Sequence, residues 1–563
     1  MAARLPLIIL IILSLLLLFN LGRADMLGDE SINAFRAAGL VDFTSSILQT
    51  TPYDWFSVVP WWVNLSNHDH PLMYFLLGRA SMGVLGLNAW AARLPSVLAG
   101  IGILSLIFFY LRRRVAPRML TLILVIVAGN DFFWWAHRTA FLEGVAAFWS
   151  ILAIFSFLRG LEKPRWFFLM GAALGGALLT KYTTGVIAIS LLLSALFWFR
   201  AQTWKKKEWW GGFLLTVIIF SPVIIYNIMM YRTRGHFDLQ FSQLFHQNIS
   251  RDWPLIHAEV VGGGAFSAVR QLLSTLRDSY TFPYFIILTA SLVLAVVAFI
   301  KKWIKEDDER TIVLTMIVSV ILLASLGAGR HLALLSTIII LAILVGLKAV
   351  SFAAQKKNPM LASRMRKPLV VIFSAVVALE MIVTLFLHLA PNHAVAKIFP
   401  KIRPHYAGFY ELGKFLDTEF HGKKPAIDFG ELLGDKNLSL KQKILAAGFR
   451  KDGEPDKRLI VYDDRLDWTA TLWTFELRRF YLGFPTFDAE DMSRYIERDP
   501  RIGNLNLPTF YIAGTHALYR ETAADQYASN MNADIEKKAI AAKRPMREIK
   551  NFLGETVFRV YEL

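Results

Sequence analysis

The 563-residue sequence contains no cysteine, which excludes disulfides, thiolate zinc sites and cysteine nucleophiles while leaving the redox compartment open. Charge is scarce as well: 19% of residues are Asp, Glu, Lys or Arg, against 55% hydrophobic and 13% aromatic. A chain of this length with so little polar surface is too apolar to be a soluble globular protein, so composition places it in a bilayer. Acid is the scarcer sign, 44 residues against 61 basic, for a net charge of +17. That excess would suit nucleic acid if it formed one stripe with interleaved aromatics. Here it comes as short clusters between apolar runs, so no nucleic-acid partner is expected and topology explains it better. The sequence also lacks a fixed-period repeat and a low-complexity tract.

What is present is a succession of apolar segments. The first, Leu5 to Leu21, follows a single Arg4 and precedes Gly22-Arg23-Ala24, a weak cleavage-site pattern. It is longer than a typical signal core, and about 26 Å of helix nearly spans the hydrocarbon, so it reads as a first transmembrane helix. Further runs lie at 94–111, 119–135, 140–158, 167–180, 183–199, 212–230, 283–300, 311–327, 331–350 and 368–389. Basic clusters (Arg112-Arg113-Arg114 with Arg118; Arg159, Lys163 and Arg165; Lys205-Lys206-Lys207; Lys301-Lys302 to Arg310; Lys356-Lys357 to Lys367) fill every second connection, which the positive-inside rule assigns to the cytoplasm. The amino terminus is then cytoplasmic, and the loops 23–93 and 231–282 lie outside. Parity requires the stretch before Arg112 to cross once, so 71–87 is expected to lie in or near the outer interface. The expectation is a polytopic α-helical protein of the cytoplasmic membrane with about 11–13 transmembrane helices.

After Leu389 the composition turns charged and mixed, with Pro391, Pro400 and Pro404 marking the exit. The division expected is a membrane catalytic domain over 1–390 and an extracytoplasmic α/β domain over 391–563. Leu459-Ile460-Val461-Tyr462 and Phe510-Tyr511-Ile512-Ala513 read as buried strands, 467–481 and 520–543 as helices, and 547–562 as a terminal hairpin.

Several motifs dissolve on inspection. Gly408 with Gly413-Lys414 approaches a phosphate-binding loop, but Phe415 stands where a magnesium-holding hydroxyl belongs and the segment has the pattern of an amphipathic helix. Gly262-Gly263-Gly264 lacks dinucleotide-fingerprint spacing. His68-Asp69-His70 offers imidazole and carboxylate ligands for a possible divalent metal ion, though no third or fourth ligand stands out nearby. More informative is the carboxylate pair Asp29-Glu30 just past the first apolar segment, with Glu143 opening another outer connection and Lys181 and Arg330 at helix ends on the same side. Acids and cations gathered at one membrane face suit chemistry on a lipid-borne anion.

The order of these pieces is distinctive. Gly28-Asp29-Glu30-Ser31, then Asp69-His70-Pro71-Leu72-Met73-Tyr74, then Asn88 to Ser96 leading into a helix closed by Arg112-Arg113-Arg114, resembles the amino-terminal module of polyprenyl-phosphate-dependent glycosyltransferases of the GT-C superfamily. Among these are the lipid A aminoarabinose transferases and the protein O-mannosyltransferases. Arg138-Thr139-Ala140-Phe141-Leu142-Glu143 is similar to the family's second acidic loop, Gly171 to Lys181 to its glycine-rich helix with a terminal lysine, and Gly329-Arg330-His331 to its arginine-aromatic start of a late helix. The resemblance covers roughly residues 1–390. Asp69-His70-Pro71 departs from the Lys-Pro-Pro of the aminoarabinose transferases, and Glu143 replaces an Asp.

The resemblance implies an inverting transfer of a sugar from a polyprenyl-phosphate donor to a hydroxyl of a lipid, glycan or protein acceptor. In that scheme Asp29 is the base, and Glu30 or Glu143 orients the acceptor, tunes Asp29 or helps hold a divalent ion. Lys181 and Arg330, with Arg138 third, offset charge on the leaving phosphate. The competing reading for these cations is snorkelling or topology, which fits Arg330 least because it lies on the outer side. His68, Asp69 and His70 are left as acceptor or metal candidates. Membrane lipids are expected around the helices. Trp61-Trp62, Trp90 and Trp134-Trp135 fit an interfacial belt as readily as a sugar platform. A transporter or a membrane-anchored receptor or scaffold is the alternative, disfavoured by the absence of two similar halves.

Overall fold

The computed structural model describes residues 4–39, 70–248, 265–324, 331–357, 359–389, 406–426, 453–466, 468–498, 507–519 and 531–563. The chain divides into two compact units, one of Met1–Leu21, Asp42–Val84 and Trp90–Arg403, the other of Gly22–Val41, Leu85–Ala89 and Pro404–Leu563.

The first unit is helical. It begins with α1 (Leu5–Leu18); α2 (Asp29–Gly39) belongs to the other unit; then come α3 (Met73–Leu85), α4 (Ala89–Leu111), α5 (Pro117–Ala128), α6 (Asp131–Arg138), α7 (Leu142–Glu162), α8 (Trp166–Leu178) and α9 (Gly185–Phe197). Longer helices follow at Lys207–Arg234, Phe282–Ile300, His331–Lys357 and Pro359–Leu389. Among the described residues, six helices are long and apolar enough to cross a membrane, and a bent pair makes seven. Four shorter apolar helices account for other expected segments. One of these is α3, the segment expected at the interface, whose thirteen residues reach about 20 Å against about 30 Å of hydrocarbon.

The bent pair corrects one expectation. The run 119–135 reads as a single span, yet α5 and α6 meet at 66°. The cause is Gly129-Asn130: Asn130 takes an extended backbone and its side chain accepts from Phe133 N, capping a new helix rather than continuing the old one. The indole of Trp134 donates to Ala128 O, satisfying a carbonyl that the break exposes.

Burial separates inner from outer helices. The apolar windows of α7 and His331–Lys357 are 72% buried, whereas those of Lys207–Arg234 and Pro368–Leu389 are 22% buried. Apolar helices left open on most of their surface are stable only against lipid. Close approach of α8 to Lys207–Arg234 depends on glycine, since a Cβ on Gly171 would collide with the Gly212 carbonyl.

The second unit is built on a five-stranded sheet. After the two-stranded parallel pair β1 (Lys423–Pro425) and β2 (Glu454–Asp456) come β3 (Leu459–Tyr462), β4 (Thr486–Asp488), β5 (Thr509–Gly514), β6 (Met546–Lys550) and β7 (Thr556–Glu562), the last five in the order β4-β3-β5-β7-β6. β3 pairs parallel with β4 and β5, while β7 runs antiparallel to β5 and β6. Alternation explains why β3 reads as continuously apolar. Ile460 and Tyr462 pack with Phe409, Leu412 and Leu416 of the helix Phe409–Glu419, while Leu459 and Val461 pack with Ala489 and Ala539 on the other face. The expected strands, the amphipathic helix in place of a phosphate loop, and the terminal hairpin are all present; of the helix expected over 520–543, Met531–Ala541 is helical and 520–530 lies outside the described residues.

The placement of α2 departs from the expected division at residue 390. Phe35 packs against Phe480 at 6.2 Å and Tyr481 at 5.1 Å, and Leu27 packs on the core beneath the sheet. Contacts across more than four hundred residues of chain draw this segment into the α/β unit.

Candidate functional site

Helices α7 and α8 are joined by three residues and run antiparallel, so the first turn of α7 and the end of α8 share one end of the unit. There Lys181 Nζ donates to Glu143 Oε1 at 2.5 Å, with 6% and 2% of the two side chains exposed. Each charge suits its helix terminus, the acid at the amino end of α7 and the cation past the carboxyl end of α8. Gly144 permits the arrangement, because a Cβ there would collide with Ala136 O of α6. Taking both ions out of water costs several kcal/mol per ion, about what their attraction returns, so stability alone gives little reason to keep such a pair.

Other sequence motifs converge on this end. Met73 N donates to Leu179 O at 2.9 Å, which brings the start of α3 and the preceding half-buried His70 beside the end of α8. His331 opens its helix buried and near Glu143. Arg330, His68 and Asp69 lie outside the described residues. Tyr182, next to Lys181, donates to Asp238 Oδ2 at 2.6 Å, and Asp238 is fully buried, held also by Asn227 Nδ2 at 3.0 Å. Asp238 was missed because an acid in a long polar loop carries no pattern of its own.

Arg138, expected as a third phosphate ligand, has backbone partners in the structure. Its guanidinium donates to the carbonyls of Leu16 at 3.0 Å and Leu17 at 2.7 Å in the last turn of α1, and to His388 O at 3.5 Å. Leu16 O also accepts from Phe19 N at 3.2 Å, whereas among the described residues no backbone N–H reaches Leu17 O at the helix end, and Arg138 ties α1, α6 and the last membrane helix together. Arg93 does the same nearby, donating to Leu21 O at 2.8 Å from a site 1% exposed.

A second polar cluster in this unit was not foreseen. His388 Nε2 meets Asp131 Oδ1 at 2.9 Å with both side chains fully buried, and Glu380 Oε2 accepts from Thr281 N at 2.9 Å and Oγ1 at 2.6 Å, capping Phe282–Ile300. Among the described residues no three His, Cys, Asp or Glu gather in a way that could hold a metal ion.

The other sequence-predicted acids belong to the α/β unit. Asp29 and Glu30 form the first turn of α2, Asp29 half-buried and Glu30 4% exposed, after a turn through Gly28 at φ +58°. Ser31 Oγ donates to Gly28 O at 2.8 Å, fixing that turn.

Residues 69–226 match the family model for dolichyl-phosphate-mannose-protein mannosyltransferase. No curated protein matches the chain. Among solved structures it is similar to ArnT from Cupriavidus metallidurans bound to undecaprenyl phosphate, at 14% identity over 99% of this chain and 97% of that one, with a TM-score of 0.48. It is also similar to the archaeal oligosaccharyltransferase AglB from Archaeoglobus fulgidus in complex with an inhibitory peptide and a dolichol-phosphate, at 11% identity over 90% and 69% of the two chains, with a TM-score of 0.45. In its ordered motifs, and in the segment that contains His70, Arg138, Glu143 and Lys181, the chain resembles the polyprenyl-phosphate-dependent membrane glycosyltransferases.

Proposed function

We propose that this protein is an integral membrane glycosyltransferase that moves a sugar from a polyprenyl phosphate to a hydroxyl of a lipid, glycan or protein at the outer face of the cytoplasmic membrane. The observation that carries the proposal is the buried Glu143–Lys181 pair, at the meeting of three helix ends, inside the segment matched by the mannosyltransferase family model.

The acceptor oxygen bonds to the anomeric carbon from the face opposite the phosphate, the carbon–oxygen bond to phosphate breaks with its electrons, and polyprenyl phosphate leaves. Configuration inverts. The acceptor proton passes to a carboxylate, and Asp29 is the group assigned to it, with Glu30 beside it. Lys181 and Arg330 offset the charge that grows on the phosphate oxygens, and Glu143 holds the Lys181 ammonium in place for that task. An ammonium kept from water is worth more to a developing anion than a solvated one. The ordered residue pattern and the match of residues 69–226 to the mannosyltransferase family model support this reading over a transporter or a scaffold.

The experiment is sugar transfer by the purified protein from a panel of polyprenyl-phosphate sugars, run beside Asp29→Asn, with and without chelator. The expected result is transfer from at least one donor that falls by about 10²- to 10⁴-fold in Asp29→Asn while donor binding persists. Full activity in that variant removes the assigned base, and chelator sensitivity decides whether a divalent ion takes part.

A further inference from the structure

The helix Phe409–Glu419 begins at Gly408, whose φ of +114° excludes the usual capping residues and whose Cβ would lie 2.5 Å from Val557 Cγ2. No side chain at that position can therefore satisfy the open N–H groups of the first turn. The acceptor comes from the far end of the sequence. Asp25 Oδ1 accepts from Tyr410 N at 2.7 Å and Oδ2 from Gly408 N at 3.0 Å, with 2% of Asp25 exposed. On either side of it, Arg23 lies 4.2 Å over the Phe552 ring and Leu27 packs on the core, so residues 23–27 form a strap held at three points. Only Met26, Leu27 and Gly28 separate Asp25 from Asp29.

We propose that Asp25 is a positioning residue: by capping the helix Phe409–Glu419 it fastens the start of α2, and with it Asp29 and Glu30, to the α/β unit. This rests on the glycosyltransferase reading, and on Asp29 as its base. The far end of α2 is anchored separately, by Phe35 on Phe480 and Tyr481. Loss of the Asp25 clasp therefore shifts the carboxylates without detaching the helix, and a misplacement of about 1 Å at a reacting group costs on the order of 100-fold in rate. Burial holds the Asp25 carboxyl up at about 7, which marks it as an acid kept in place at a cost rather than an incidental surface charge.

The test compares full-length wild type, Asp25→Ala and Asp25→Asn by two readouts: steady-state transfer from whichever donor the wild type uses, and hydrogen exchange of peptides covering 406–412 and 26–39. The expected result for Asp25→Ala is exchange at least about tenfold faster in both peptides with β3 and β5 still protected, and kcat lower by about 100-fold with KM for donor changed less than about threefold. Asp25→Asn, which keeps one acceptor, falls between, and it carries the test if the alanine variant does not fold. Unchanged exchange in both variants overturns the clasp. Faster exchange with wild-type kcat overturns the positioning role. A wild type inactive toward every donor overturns the functional reading and this inference with it, whereas an active wild type with unaffected variants overturns this inference alone.

Discussion

In the membrane unit a buried acid meets a cation, Glu143 on Lys181; in the α/β unit a buried acid, Asp25, meets the N–H groups that open a helix. The two solutions differ in what happens when a partner is removed. An ion pair depends on a counter-charge, and losing either member leaves the other uncompensated in a dry site. A carboxyl held by amide dipoles has no counter-charge to lose and can take up a proton in place. The first is thus fixed and the second is adjustable by pH, and the adjustable one sits four residues before the assigned base.

Breaking the fixed pair has the largest expected effect. Lys181→Met should cost about 3–5 kcal/mol of membrane-unit stability in detergent, because Glu143 is left buried and uncompensated. The double variant Glu143→Gln with Lys181→Met should recover most of that stability and none of the activity, which separates the pair's upkeep from its use. Recovery of both would reduce the pair to a packing feature.

Asp29→Asn comes next, with kcat lower by about 10²- to 10⁴-fold and unfolding free energy lower by no more than about 1 kcal/mol, the contribution of a half-buried acid in the first turn of a helix.

The pH dependence of the α/β unit sharpens the contrast further. The Asp25 carboxyl is raised from 3.8 to about 7 by burial. A raised acid binds its proton more tightly in the folded state, so its contribution to stability is full below pH 3.8 and is lost as pH rises through about 7. On the order of a few kcal/mol of that slope should vanish in Asp25→Asn, read by chemical unfolding at pH 4, 6 and 8. An identical slope in the variant would assign it to other groups.

The smallest effect expected is that of Arg138→Gln, about 1–3 kcal/mol from the carbonyl of Leu17 left unsatisfied, with KM for donor unchanged. A large rise in that KM would restore Arg138 to the phosphate.

Legibility followed the range of the contacts. β3 and β5 were readable because strands covered on both faces leave a continuous apolar run, and the pairing of Glu143 with Lys181 was approachable because α7 and α8 are consecutive and tightly joined. The break after α5 was concealed by hydropathy, which carries no record of the Asn130 cap. The allegiance of α2, the Asp25 clasp and the Asp131–His388 pair depend on partners about 250 to 450 residues away, and the periodicity of one segment says nothing about a partner at that distance.

The most direct measurement is the stoichiometry of the reaction: purified full-length protein is given polyprenyl-phosphate sugars and a mixture of lipid, glycan and peptide hydroxyls, and mass spectrometry follows both products. The expected result is one polyprenyl phosphate released per glycosylated acceptor, abolished in the Glu143→Gln, Lys181→Met double variant. Release from no donor, or release that the double variant leaves untouched, would contradict a glycosyl transfer that depends on the buried pair.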